Sequence, residues 1–153
     1  MGIPGHGDTV GWPIPAGDTA VVVTAEDLCG TSRNIYHWAM AYVITTACVD
    51  IKHKSCVQEC PVDCIYEGDR TMYIHPDECV DCGACALLCD VDAIYYESEL
   101  PEAERKFLAD NATFFATVLP GRDAPIGSPG GAQGFGAAGV DTPMIAALPA
   151  STD

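Results

Sequence analysis

Glu78-Cys79-Val80-Asp81-Cys82-Gly83-Ala84-Cys85-Ala86-Leu87-Leu88-Cys89-Asp90 places four cysteines within eleven residues. Three follow one another at three-residue steps, and the fourth comes four residues later. A tetrahedral zinc ion usually takes its thiolates from two separated Cys-x2-Cys knuckles. Consecutive steps suit one loop wrapped around a bulkier object. A cubane iron–sulfur cluster is such an object, because each corner iron takes its own thiolate.

The spacing has an echo upstream. Cys60-Pro61-Val62-Asp63-Cys64-Ile65-Tyr66-Glu67 recurs as Cys89-Asp90-Val91-Asp92-Ala93-Ile94-Tyr95-Tyr96-Glu97, and five of the first seven positions match at an offset of 29. Each copy follows a Cys-x3-Cys step, Cys56 to Cys60 and Cys85 to Cys89. Two copies of one unit imply two similar sites related by a pseudo-two-fold axis. In the run C-x2-C-x2-C-x3-C the fourth cysteine ligates the other cluster of a pair. Cys85 and Cys89 lie one helical turn apart, about 6 Å along the axis, so Cys89 is carried away from the loop that Cys85 closes. Cys60 crosses in the opposite direction. One [4Fe–4S] cluster is then held by Cys60, Cys79, Cys82 and Cys85. The other site receives Cys48, Cys56 and Cys89. Cys48-Val49-Asp50-Ile51 puts Ile51 in the slot that Cys82 fills in the second copy, so three thiolates meet a [3Fe–4S] cluster. Asp50 offers a harder oxygen ligand one residue early, which leaves a [4Fe–4S] cluster there as the alternative. A structural zinc pair is the other.

Composition agrees with metal chemistry. Of nine cysteines in 153 residues, eight fall between Cys48 and Cys89. The first residues, MGIPGHGDTVGW, carry neither a basic n-region nor a long apolar stretch, and no apolar run approaches a membrane span. The expected location is the cytoplasm, where dense cysteine means metal or redox chemistry rather than disulfides. The 22 Asp and Glu against 7 Lys and Arg argue against nucleic acid and anionic membrane as partners. They favour a protein with a basic docking face.

The surrounding segments read as short elements. Ala41–Thr45 and Thr71–His75 are rich in β-branched and aromatic residues and read as strands. Glu67-Gly68-Asp69 is a turn signal, so Ile65-Tyr66 pairs with Tyr73-Ile74. Ala93–Tyr96 pairs with the first strand, and each Cys-x3-Cys step sits on a short helix. Pro101 suits a helix start, and Phe107, Leu108, Asn111, Phe114, Phe115 and Val118 recur at helical spacing up to residue 119. From Pro120 onward, 12 of 34 residues are Gly or Pro, a density at which no regular element is expected. The reading is an α+β fold in three parts: an extension (1–39), a two-cluster domain with a C-terminal helix (40–119) and a Gly/Pro-rich tail (120–153).

The stretches AYVITTACVD, CVQECPVDCIYEG, YIHPDECVDCGAC and VDAIYYE together resemble the seven-iron bacterial-type ferredoxins of actinobacteria. Asn111-Ala112, Phe114-Phe115, Gly127–Ala132, Asp141 and Pro143 extend the likeness more weakly, which implies a tail ordered over the core. The resemblance implies the same ligand partition, with Cys64 as a non-ligating thiol near the four-iron site. It also implies low-potential one-electron transfer between a ferredoxin reductase or 2-oxoacid oxidoreductase and an acceptor such as a cytochrome P450, by a monomer rather than an enzyme. This chain departs from that pattern in three ways. Asp90 replaces the proline after the last cysteine, with an expected negative charge beside the three-iron site. Ala86-Leu87-Leu88 replaces a stretch that usually carries a carboxylate and a proline. Residues 1–39 have no counterpart in the usual short form, which begins near Met40. Within them, Thr19–Thr24 reads as a further strand, Cys29 as a spare thiol, and His6 and His37 as too sparse a pattern for zinc. Val62, Ile65, Val91 and Ile94 are expected to exclude water from the clusters.

Overall fold

The computed structural model describes residues 41–151; the expectations for Thr19–Thr24, Cys29, His6, His37 and Met40 lie outside these residues. The strands β1 (Tyr42–Ile44), β2 (Ile65–Glu67), β3 (Met72–Ile74) and β4 (Ile94–Tyr96) are three residues each. The helices α1 (Ser55–Gln58) and α2 (Ala84–Leu87) are single turns, and α3 (Lys106–Ala116) has three. β1 pairs antiparallel with β4, Ile44 opposite Ile94. β2 pairs antiparallel with β3, Ile65 opposite Ile74 and Tyr66 opposite Tyr73. Both pairings are those expected from the sequence, and the β2–β3 register is the one that the turn signal predicts.

Alternation along these strands divides the interior. Successive residues of a strand point to opposite faces. Val43, Tyr66 and Tyr73 join Phe107, Phe114 and Phe115 of α3 in one apolar cluster. Their neighbours Ile44, Ile65, Met72, Ile74 and Ile94 join Cys48, Cys56, Cys64 and Cys85 in another. The strands thus carry thiols on one face and the long helix on the other. Tyr73 stacks on Phe114 with centroids 3.7 Å apart and an interplanar angle of 8°, and Phe115 meets Tyr66 edge-on.

Asn111 explains itself only here. It sits in the apolar stripe of α3 yet is 4% exposed. Its Oδ1 accepts from Ile74 N–H at 2.9 Å, and its amide donates to Ile74 carbonyl. One side chain thereby satisfies the backbone of β3 on the side away from β2. The helix differs from its predicted bounds. Pro101 is extended (ψ 144°), a 3-10 turn covers Glu102–Glu104, and Thr117 ends the helix in extended conformation. Val118, expected in the buried stripe, is 55% exposed, and Leu119 is buried instead, because the chain has left helical geometry by then.

The tail corrects the expectation drawn from its composition. It contains two more single-turn helices, α4 (Ala132–Phe135) and α5 (Pro143–Ala146), and buries Ala132, Asp141, Thr142 and Ile145. Its order comes from side chains of the core rather than from its own propensity. Asp63 carbonyl and carboxylate accept from Ala132 and Gln133 N–H. His75 Nε2 lies 2.9 Å from Gly127 carbonyl. Asp141 accepts from Arg70 N–H at 2.7 Å and Tyr73 Oη at 3.1 Å. Gly68 permits that approach, since a Cβ there would lie 2.2 Å from Asp141 Oδ1. Arg70 then donates to the carbonyls of Ile145, Leu148 and Pro149.

Two stability predictions follow from this packing. Asn111→Leu leaves buried backbone groups of Ile74 unpaired, at about 2–4 kcal/mol, and should lower the melting temperature read by circular dichroism by about 10 °C. A change under about 2 °C would remove the amide from the account. Asp110 is held above the usual carboxylate range by burial, with Thr142 bonding against that shift and the Asp141 charge adding to it. A carboxyl raised in the folded state costs stability when ionised, and the cost disappears as pH falls through its folded value toward the unfolded one. Asp110→Asn should therefore raise the melting temperature at pH 7 by a few degrees, with the gain shrinking toward about pH 4.

Candidate metal centre

Two single-turn helices and the loops before them carry the thiols. α1 follows Lys54 and α2 follows Gly83, both in the left-handed conformation, with φ of 61° and 74°. These positions match at the 29-residue offset of the repeat. So do Asp63 and Asp92, at φ 53° and 50°. Asp50 and Asp81, each ending a Cys-Val-Asp triplet, have φ 67° and 55°. Asp tolerates this region because its short polar side chain bonds locally. The turns aim amides at sulfur in the same way in both copies. Cys64 N–H lies 3.4 Å from Cys60 Sγ, and Ala93 N–H 3.2 Å from Cys89 Sγ.

Cys60, Cys79, Cys82 and Cys85, together with Cys64, line one small pocket, walled on its apolar side by Ile65 and Ile74. Cys60 and Cys64 reach it from the first copy and the other three come from the second. Cys85 is buried and Cys82 exposed. Cys48, Cys56 and Cys89 do not line that cavity. Burial pushes the Cys56 thiol up to about 11, with negative charge at Cys48 and Cys89 adding to the shift. Burial likewise raises Cys48, opposed by a bond from the Thr71 side chain, with Cys89 again adding. These three thiols therefore lie within electrostatic reach of one another. Cys85 is pushed up to about 12 by burial, then by charge at Cys79, Cys56 and Cys60, which makes the two sets neighbours.

This donor chemistry fits an iron–sulfur group. Iron takes thiolates, and buried thiols with raised pKa values resist that form until a cation compensates them; a coordinating thiol is deprotonated outright. Among the described residues no three Cys, His, Asp or Glu side chains converge on a single-ion position. All-sulfur ligands spread around a space suit a polynuclear cluster better than the point-like coordination of zinc. His53 is an exposed partner of Asp90 at 3.4 Å, and His75 is buried beneath the tail.

Cys64 behaves differently. It is 1% exposed. Its hydrogen bond to Cys79, then burial, hold its pKa far above the thiol range. The same bond lowers the Cys79 pKa. Cys64 Sγ also lies 3.5 Å from Cys60 Sγ. Ala93 fills the equivalent place in the second copy, at 0% exposure.

Asp50 is engaged elsewhere. Its two oxygens accept from Arg70 Nε and Nη2 at 2.8 and 2.7 Å, and Ser151 N–H adds a third bond. The Arg70 side chain, then the Ser151 amide, hold this carboxyl at about 2. Asp90 points to His53, with a side chain 63% exposed, so water screens the charge expected beside the neighbouring site. Of the four residues expected to exclude water, Ile65 and Ile94 are buried, Val91 is half-buried and Val62 is 37% exposed. Tyr42 and Arg70 had no local signal in the sequence. Tyr42 matters because of Gly83, where a Cβ would lie 2.7 Å from Tyr42 Oη. Arg70 matters because it joins Asp50 to the tail.

Two strand pairs that present cysteine loops on one face, with amides directed at sulfur, define a small iron–sulfur protein. Comparison with known proteins gives the family. The 4Fe-4S binding domain matches residues 72–95, a span holding Cys79, Cys82, Cys85 and Cys89. A ferredoxin of Mycobacterium tuberculosis is 64% identical over 110 residues, covering 72% of this chain and 96% of that relative. A Streptomyces griseus ferredoxin is 52% identical over 108 residues, 71% of this chain and 95% of the relative. A protein named Ferredoxin 7Fe from Hydrogenibacillus schlegelii is 53% identical over 76 residues, 50% of this chain and 97% of its own length. The chain belongs to the ferredoxin family and is an iron–sulfur electron carrier. Among the described residues no helix is long and apolar enough to cross a membrane.

The Gly83–Tyr42 contact yields a paired test. Gly83→Ala forces a side chain into left-handed backbone, at about 1–2 kcal/mol, and against the Tyr42 hydroxyl. Loss of the visible cluster absorbance under chelator should speed up about tenfold. Tyr42→Phe in the same chain removes the atom at 2.7 Å and should recover part of the lifetime. Equal lifetimes for Gly83→Ala and the wild type would show that the contact is slack.

Proposed function

We propose that this ferredoxin carries a [4Fe–4S] cluster on Cys60, Cys79, Cys82 and Cys85 and a [3Fe–4S] cluster on Cys48, Cys56 and Cys89. In this reading the fold is the pseudo-two-fold, two-cluster ferredoxin fold. The carrier works as a cytoplasmic monomer. It accepts single electrons at low potential from a ferredoxin reductase or 2-oxoacid oxidoreductase and passes them to acceptors such as a cytochrome P450. The observation that carries the seven-iron reading is the pairing of Asp50 with Arg70. Ile51 stands where the second copy has Cys82, and the carboxylate beside it is already bound. The seven-iron designation of the Hydrogenibacillus relative supports the same reading.

The clusters, when bound, supply the one-electron chemistry. The chain supplies the setting. Ile65, Ile74 and Ile94 keep water from the inner faces of the thiol loops. The N–H groups of Cys64 and Ala93 point at ligand sulfurs, a contact that tunes reduction potential. Residues 40–108 hold 14 Asp and Glu and 5 Lys and Arg, a net charge of −9. That charge steers encounter with a basic partner and loses its effect as salt rises.

Iron analysis with low-temperature EPR tests the assignment. The protein purified without oxidant should contain about seven irons and show the signal of an oxidised three-iron cluster. Eight irons in an EPR-silent oxidised protein would overturn it. Ile51→Cys supplies the missing thiolate. It should raise the iron content to about eight and abolish most of that signal; an unchanged seven-iron spectrum would mean that position 51 does not face the site.

A further inference from the structure

The two Cys-x3-Cys helices provide an internal control. α1 and α2 are single turns of equal length that follow left-handed residues. Glu59 and Leu88, the residues after them, have similar dihedrals, φ −95° and ψ −4° against φ −111° and ψ 12°. The matching exposed positions in the two copies are Gln58-Glu59 and Leu87-Leu88. In the first copy they are polar, as an exposed helix end requires. In the second, Leu87 is 86% exposed and Leu88 45% exposed. The fold therefore builds this turn without leucines at these two positions, and Leu87 in particular covers little of the protein beneath it.

Their position is specific. Both lie between Cys85 of α2 and Cys89 just beyond its end, two thiols that the proposed ligand partition sends to different clusters. Ser55 of α1 donates to Leu88 carbonyl at 2.9 Å, so the spot sits where the two copies meet. Its surroundings are negative. Glu59, Asp81, Asp90 and Asp92 are exposed carboxylates in the same thiol-bearing loops. Nearby cations are already engaged: Lys52 and Lys54 with Glu67, and Arg70 with Asp50.

We propose that Leu87 and Leu88 form the apolar centre of the docking face for a redox-partner protein, one that meets them with an apolar contact ringed by Lys and Arg. The proposal rests on the electron-carrier reading and adds where the partner sits. Charge decides the occupant. A second copy of this chain would bring a net charge of −15 against another, whereas a basic surface gains from the same field. Electrostatics speeds the encounter, and burial of the leucines holds the complex. The first copy lacks such a spot, so docking selects one end of the two-cluster core.

The test uses the holoprotein with Leu87→Gln and Leu88→Gln together; Gln is what the first copy carries at the position matching Leu87. The probe is a lysine-rich c-type cytochrome, with a small cationic cobalt(III) complex as control oxidant. Stopped-flow transfer from the reduced variant to the cytochrome should slow about tenfold, the scale of two lost leucine contacts. The deficit should persist in about 0.5 M salt, where charge steering is screened. EPR spectra, iron content and the rate to the cobalt complex should match the wild type. Equal cytochrome rates for variant and wild type would overturn the docking face. Failure of the wild type itself to pass electrons to any protein would instead strike the carrier reading. A wild-type dimer that the double substitution dissolves would make the occupant a second copy, and the proposal wrong.

Discussion

Thiolate charge is the quantity that this fold is arranged around. Cys48, Cys56 and Cys85 are withdrawn from water, and charge at neighbouring thiols adds to their cost of ionisation, so the gathered sulfurs favour their neutral form until metal charge compensates them. Everything near them is short. Strands of three residues and helices of one turn are far below the length at which such elements stand alone. Their loops are set by left-handed residues and by amide-to-sulfur bonds. Cluster binding and folding are therefore coupled in this half of the molecule, and the apolar half behind the strands gives the loops a platform.

That platform depends on alternation. Ile44 and Ile65 turn toward the thiols, and their neighbours Val43 and Tyr66 turn toward α3. A one-residue slip in either pair would exchange these faces. Asn111 and Asp141 then tie the helix and the tail to β3 and to the turn before it. Arg70 has a double task. One edge of its guanidinium holds Asp50 bidentately, and the rest collects carbonyls of the last residues. Order in a Gly- and Pro-rich tail thus comes from a planar cation at the edge of the core.

The two copies of the repeat are most informative where they differ. Lys54 and Gly83 share a backbone conformation, but only Gly83 faces the Tyr42 hydroxyl. Cys64 and Ala93 share a buried place, but only Cys64 brings a thiol there, 3.5 Å from Cys60 Sγ. Ile51 stands in the first copy where the second has the thiol of Cys82. Gln58-Glu59 and Leu87-Leu88 separate the surfaces. Because the backbone is held nearly constant between copies, these differences report chemistry rather than architecture.

Strand composition and a turn signal were enough to read the two strand pairings, and cysteine spacing to place a short helix at each Cys-x3-Cys step, although each helix ends before the second cysteine. The fate of Asp50 was not legible, since Arg70 lies 20 residues away and the end of the chain about 100 away. Nor was the packed tail, whose composition describes only its own weak propensity and not the acceptors and donors that receive it. Val118 read as part of a helical stripe because periodicity continues on paper after the backbone has stopped turning. Local rules settle which residues sit one turn or one pleat apart; only the closed structure settles which distant charge or hydroxyl meets them, because that depends on contacts between segments whose separation no periodicity records.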